Sequence, residues 1–211
     1  MMINKITVLT LSLSISAFCA KAQKLEYGLK ISGGFAYQQI SNKDILSTGS
    51  VKTFNIRGIA QMPIGKQYWI EGGVGYVGKG SVVSIDALTT TTLLNYGELT
   101  VSALRKLTFT NIGVFYLGVG PYLAMGLNGT LDYETPGSDT KDKLLFGKDN
   151  DVMKFDAGLY FTTGFEFRNR VTFNIGYALG LNNIASDPQR GSGTTVVKNR
   201  EFLIGLGYRF R

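Results

Sequence analysis

The residues best suited to chemistry in this sequence are a glycine-rich stretch around one lysine and two loop carboxylates. Residues 73–80, GVGYVGKG, nearly match a phosphate-binding loop, but that motif needs Ser or Thr after the lysine and a helix after the loop. Gly80 follows Lys79 instead, and the segment alternates as a strand does. Asp149 and Asp151 offer oxygen ligands, but they lack the twelve-residue loop and final Glu of an EF-hand. We therefore predict no nucleotide site, no metal site and no cofactor.

The composition excludes the commonest catalytic sets. The 211 residues include no His, and the single Cys is Cys19. Catalytic sets built on Ser-His-Asp or Cys-His are therefore excluded, as are metal sites with His ligands, and a lipid hydrolase would lack its usual His base. Lys and Arg number 22 against 15 Asp and Glu, a net charge of +7, yet the basic residues form no cluster in sequence. We predict a protein that is not an enzyme and has no nucleic-acid partner.

The first 22 residues have the pattern of a secretory signal peptide. A lysine precedes an apolar run, and Ala-Lys-Ala at 20–22 is a small-residue cleavage site. Cleavage would remove Cys19 and leave a domain of residues 23–211. A lipoprotein acylated at Cys19 is disfavoured by the bulky residue before it, and a membrane anchor is disfavoured by the shortness of the apolar run.

After residue 23, apolar and polar residues alternate with a period of two, which is typical of strands with one apolar face. The 27 Gly and the aromatic share of 12% fit an all-β chain. The predicted strands span residues 25–39, 51–63, 68–80, 93–107, 111–127, 153–168, 170–183 and 198–210.

The connections between these strands alternate in length. Polar stretches at 40–50, 81–92, 128–152 and 184–197 are long, and the turns between them are short. Bacterial transmembrane barrels show this alternation, with short periplasmic turns and longer outer loops. The sequence thus predicts an all-β fold, an eight-stranded antiparallel up-and-down transmembrane β-barrel. The alternative is a soluble barrel that holds a ligand against an inward apolar face.

The alternation also assigns two faces in the membrane-barrel interpretation. The apolar face would contact lipid, and in the second half of the chain it comprises Phe155, Leu159, Phe161, Phe165, Phe167, Phe173, Ile175, Tyr177, Phe202, Ile204, Leu206, Tyr208 and Phe210. Charged residues on the other face would form a paired network in a narrow lumen, because a buried charge is costly without a partner. The candidates for this network are Glu26, Lys30, Arg57, Glu71, Lys79, Glu98, Asp156, Glu166, Arg168 and Arg209.

Five motif-bearing stretches lie within the predicted strands or at their ends: YVGKG at 76–80, GVGPYL at 118–123, FDAG at 155–158, YALGLNNI at 177–184 and the final segment 198–210. Together these stretches resemble the PorT-like, Bacteroidetes-type family of outer-membrane β-barrels. The resemblance implies an eight-stranded outer-membrane barrel, and the family's name-giving member belongs to type IX protein secretion. Phe210 resembles the C-terminal signal that the barrel-assembly machinery reads.

These observations lead to one expected function and three alternatives. We expect a monomeric outer-membrane barrel with a side-chain-filled lumen, which acts as a structural or interaction protein through its surface loops, above all 128–152. The alternatives are an accessory component of a type IX-like secretion or envelope complex, a narrow channel, and a soluble ligand-binding barrel. The expected partners are outer-membrane lipid, the barrel-assembly machinery and envelope or secretion proteins.

Overall fold

Ten antiparallel strands account for most of the residues that the computed structural model describes, namely 25–41, 48–85, 87–186 and 195–210. The predicted signal peptide and Cys19 lie outside these described residues. The strands are β1 Glu26–Ile40, β2 Thr48–Gly49, β3 Val51–Pro63, β4 Tyr68–Ile85, β5 Leu88–Phe109, β6 Gly113–Thr135, β7 Ser138–Leu144, β8 Phe155–Phe167, β9 Val171–Gly180 and β10 Val197–Arg209. Within the described ranges, no helix is long and apolar enough to cross a membrane.

Eight of these ten strands close into a ring. The order is β1, β3, β4, β5, β6, β8, β9 and β10, and β10 pairs back onto β1. Every neighbouring pair is antiparallel and consecutive around the ring, so the predicted up-and-down barrel is confirmed. The two further strands lie outside the ring, because β2 pairs with the end of β4 and β7 forms a hairpin with β6.

The barrel carries its apolar side chains outside. Along β10, Glu201, Leu203 and Gly205 are buried, whereas Phe202 and Ile204 are exposed. The residues predicted above to face lipid all lie on this outward side, exposed or partly exposed. A soluble barrel would bury such a face, and a barrel in lipid exposes it.

Two predicted loops prove to be largely strand. The expected loop over 81–92 is wrong, because β4 continues to Ile85 and β5 begins at Leu88. The expected loop over 128–152 is also wrong over 128–144, which contains the end of β6 and all of β7. The reason is that these segments lose the apolar alternation while keeping residues such as the threonines of 89–92, which favour strands.

These additional segments form a sheet beyond one end of the ring. It consists of residues 48–49, 81–85, 88–95, 128–135 and 138–144, and we call it the sheet extension. A register shift between Asn95 and Tyr96 lies where the extension begins. We call this end of the barrel the loop end, and the opposite end, where β1 begins and β10 ends, the terminal end.

Pro121 lies at a gap in the ladder between β5 and β6. The paired residues stop at Thr100–Tyr122 and resume at Ala103–Val119. Proline lacks the N–H that a ladder requires, so a strand tolerates it where the ladder is interrupted.

Gly120 is required by the close approach of two strands at the same place. A Cβ built on Gly120 would lie 1.8 Å from the carbonyl oxygen of Val101. We expect Gly120→Ala to lower the free energy of unfolding by about 1–3 kcal/mol, the usual effect of overpacking. Gly58→Ala is the matched control, because its nearest neighbour is the Val74 carbonyl oxygen at 3.8 Å. Urea unfolding in lipid vesicles measures both, and equal losses would contradict the argument.

Candidate functional site

Charged side chains fill the interior of the ring. Lumen-facing ions come from six different strands, and the most deeply buried are at most 5% exposed: Lys30, Arg57, Glu71, Lys79, Glu98, Asp156 and Glu201. An eight-stranded barrel has an interior just wide enough for side chains to fill. The lumen is therefore a packed polar core.

The middle of the lumen holds four charges in one chain of ion pairs, which we call the central cluster: Arg57, Lys79, Glu98 and Asp156. The Lys79 ammonium lies 2.9 Å from Asp156 Oδ2 and 3.3 Å from Glu98 Oε2. The other Glu98 oxygen, Oε1, accepts a hydrogen bond of 2.5 Å from Arg57 Nη2. Two positive and two negative groups thus compensate one another, as buried charges require.

A second group of polar residues lies closer to the terminal end. The Lys30 ammonium donates to both carboxylate oxygens of Glu71 at 2.8 Å. The Gln61 amide also donates to Glu71, and the Lys106 ammonium donates to Gln61 Oε1 at 2.6 Å. Lys106 also lies over the Trp69 ring, 3.6 Å from its centroid. The chain of polar contacts therefore continues toward the end of the barrel.

The terminal end of the lumen is bridged by one arginine. Arg209 Nη1 donates to Glu26 Oε2 at 2.5 Å, and Arg209 Nη2 pairs with Glu166. Arg209 thus connects the last ring strand to the first, and also to β8.

Tyrosine rings close the remaining space between the charged groups. Tyr96, Tyr116, Tyr122 and Tyr160 are at most 4% exposed. The Lys79 ammonium lies 4.1 Å from the Tyr122 ring centroid, and the Arg57 guanidinium lies 4.6 Å from that of Tyr160. Such cation–π contacts add attraction to the packing.

The free space in the lumen is divided by these side chains. A cavity of about 490 Å³ lies at the loop end, and one of about 510 Å³ lies at the terminal end. An inner void beside Lys30 and Tyr116 measures only about 10 Å³, and a water molecule needs roughly that much space. The described side chains therefore separate the two cavities.

Arg168, which the sequence placed in the lumen, is exposed in the turn after β8. The predicted strand over 153–168 ends one residue too late, because β8 ends at Phe167 and the chain turns there. The other nine predicted residues are all brought into the ion pairs described above.

Two further charged residues, Glu201 and Lys106, lie in the lumen but are not among the predicted candidates. Glu201 accepts a hydrogen bond from Asn55 Nδ2 at 3.0 Å, and it is 1% exposed. Lys106 reaches Gln61, as described above. Both residues occupy inward-facing positions in the apolar–polar alternation of their strands. The sequence pattern alone is therefore sufficient to assign them to the lumen.

The two motifs that could have carried chemistry have structural partners instead. Lys79 lies within β4 with its ammonium on Asp156, so the glycine-rich stretch is strand and not a phosphate loop. Asp151 Oδ2 accepts the backbone N–H of Leu145 at 2.7 Å. Across the described ranges, no group of three or more His, Cys, Asp and Glu is arranged to hold a metal.

Comparison with protein families agrees with this geometry. The sequence matches a family model described as outer membrane protein beta-barrel domain over residues 21–186, most of the chain. The chain belongs to this family. It is an outer-membrane β-barrel protein, and the outward apolar face of the ring is the side that such a barrel turns to lipid.

Solved structures of other outer-membrane barrels are similar to this barrel. Neisserial surface protein A is 18% identical, with 89% of this chain and 100% of that chain covered and a TM-score of 0.49. Ail, the attachment invasion locus protein of Yersinia pestis, is 15% identical, with coverage of 88% and 99% and a TM-score of 0.41. OprG from Pseudomonas aeruginosa is 12% identical, with coverage of 87% and 96% and a TM-score of 0.43. The comparison with curated proteins finds no significant match.

Proposed function

We propose that this protein is a non-conducting, non-enzymatic barrel that anchors the sheet extension at the cell surface for interaction with other molecules. The observation that carries the proposal is the central cluster, in which Lys79 joins Asp156 and Glu98 across the middle of the lumen. A water-filled pore would expose these groups, whereas all three are at most 2% exposed. The barrel then serves as a membrane anchor, and the sheet extension outside the ring is the part that recognises other molecules.

The sheet extension has the surface that display requires. The edge strand β7 is exposed from Ser138 to Lys143 and alternates acidic and basic residues. On this strand Lys141 pairs with Asp132 at 3.1 Å, and its side chain is 63% exposed. Charges on an edge strand oppose uncontrolled pairing with other strands. We infer that partners recognise charged side chains on the extension and do not add a strand to it.

Narrower roles rest on the sequence resemblance alone. Membership of the PorT-like group is one such proposal. An accessory role in a type IX-like secretion or envelope complex is another, and it would require a stoichiometric partner that copurifies with the barrel. A closed ring has no unpaired ring strand, which favours a monomer in the membrane.

Conductance in planar lipid bilayers tests the closed lumen. We expect the wild-type protein to give no discrete current steps. Replacing all four residues of the central cluster with Ser removes two positive and two negative charges, and we expect steps to appear because water can then enter the middle of the lumen. The control replaces Asp132 and Lys141 with Ser, an exposed pair outside the ring. Discrete steps from the wild-type protein would contradict the proposal.

A further inference from the structure

The cavity at the loop end is a chamber between the ring and the inner face of the sheet extension. Its volume of about 490 Å³ falls within the roughly 300–1,000 Å³ of typical small-molecule sites. Alternate residues of the extension line it, including Val83, Thr92 and Leu131, while the intervening Thr91 points to the other side of the sheet. The extension therefore has one face for solvent and another for the chamber.

The floor of this chamber is polar and hydrogen-bonded. Ser81 is fully buried, and its hydroxyl donates to Gln38 Oε1 at 2.8 Å. The Gln38 amide donates in turn to Asn199 Oδ1 at 3.3 Å, and Asn199 Nδ2 donates to Asp156 at 2.9 Å. Gln38 carries a second amide N–H, and its Oε1 has a second acceptor lone pair. The floor can therefore both donate to and accept from a polar group that enters the chamber.

The walls are mainly apolar. They include Val83, Leu131, Leu144, Val152, Ile184 and Val197. Among the described lining residues none is basic, and Asp151 is the single acidic one. Its Oδ2 already accepts the Leu145 N–H. A carboxylate or phosphate in the chamber would therefore be buried without a described cation in the lining, which is unfavourable.

We propose that this chamber binds an uncharged amphiphile, with its apolar body against the walls and a hydroxyl or amide end on Gln38. The apolar walls stabilise the apolar part of the ligand by removing it from water, and the floor forms hydrogen bonds with its polar end. This small-molecule site goes beyond the display role proposed above and does not depend on it. The conductance measurement tests whether the lumen is closed, and the ligand-binding measurement tests whether the chamber is a small-molecule site, so the two proposals can fail independently.

Methyl NMR of isoleucine-labelled protein in lipid nanodiscs tests this inference, with 1-octanol as the probe. Ile40 and Ile184 line the chamber, and the exposed Ile56 and Ile204 report on alcohol dissolved in the lipid. We expect saturable shifts of Ile40 and Ile184, and only gradual, non-saturating shifts of Ile56 and Ile204. Octanoate should bind at least about tenfold more weakly, because its charge would be buried without a partner.

Two neighbouring threonines provide a matched pair of variants. Thr92 is the cross-strand partner of Ser81, so Thr92→Phe places a ring beside the polar floor and is expected to abolish the saturable shifts. Thr91→Phe places the same ring on the other side of the sheet and is expected to preserve them. Heat-modified migration on SDS gels checks that both variants fold. Shifts that survive Thr92→Phe, equal binding of octanoate, or a non-saturating response of Ile184 would each overturn the inference.

Discussion

Replacing Lys79 with Met is expected to lower the free energy of unfolding by about 3–5 kcal/mol, the usual effect of breaking a buried ion pair from one side. Lys79 is the shared partner of Glu98 and Asp156, and its removal leaves two carboxylates buried together. Methionine keeps most of the volume, so the loss reports the missing charge. Urea unfolding in lipid vesicles, followed by the single tryptophan, Trp69, measures the change.

Two further variants separate the charge effect from general damage. Lys141→Met breaks the exposed pair with Asp132, and such a pair contributes about 0–1 kcal/mol. Combining Lys79→Met with Asp156→Asn should recover part of the stability, because Glu98 then keeps Arg57 as its partner and no carboxylate of the central cluster remains unpaired. A loss below about 1 kcal/mol for Lys79→Met alone would show that the central cluster is hydrated.

Replacing Phe161 with Arg is expected to lower the free energy of unfolding in lipid by about 2–4 kcal/mol, the effect of an arginine at the bilayer midplane. Phe161 lies at the middle of β8, it is 40% exposed, and it faces outward between Val119 and Tyr177. Phe173→Arg on β9 tests the same face at the level of Phe165, closer to the terminal end, and is expected to have a smaller effect in the same direction. Folding yield into vesicles, read as heat-modified mobility on SDS gels, measures both.

The matched control lies on the same strand and the same face. Phe167 ends β8 and is 45% exposed, so Phe167→Arg is expected to have an effect of only about 0–1 kcal/mol, the value near the interface. Thr162→Arg should impair folding for a different reason, because Thr162 is buried and faces the filled lumen. Normal assembly of both Phe161→Arg and Phe173→Arg would mean that the outward face does not contact lipid.

The strand pattern and the two faces could be predicted because they depend on local alternation. In β10 the exposed and buried residues follow the odd–even pattern of the sequence directly. The same pattern assigned nine of the ten lumen charges to the interior, and it failed at Arg168 because alternation does not show where a strand ends. It also failed at 89–92, where both faces of β5 carry threonine and the strand continues without an apolar signal.

The ion pairs could not be predicted, because they depend on strand register around the ring. Lys79 and Asp156 are 77 positions apart in sequence and lie on strands that are not neighbours. Their contact is made across the lumen, so even the correct pairing of adjacent strands would not reveal it. The chamber at the loop end was missed for a related reason, since its walls are segments that had been predicted as loops.

The pairing of β1 with β10 has a consequence for how the barrel forms. Arg209 donates to Glu26 across 183 positions of sequence, nearly the full length of the domain. Contacts of such separation are slow to form because almost the whole chain must be ordered before they are made. Until β10 arrives, β1 has one edge with unpaired backbone groups, which are unfavourable in lipid. The edge of β1 therefore stays unpaired until β10 is in place, and the open sheet needs another molecule to cover that edge during assembly.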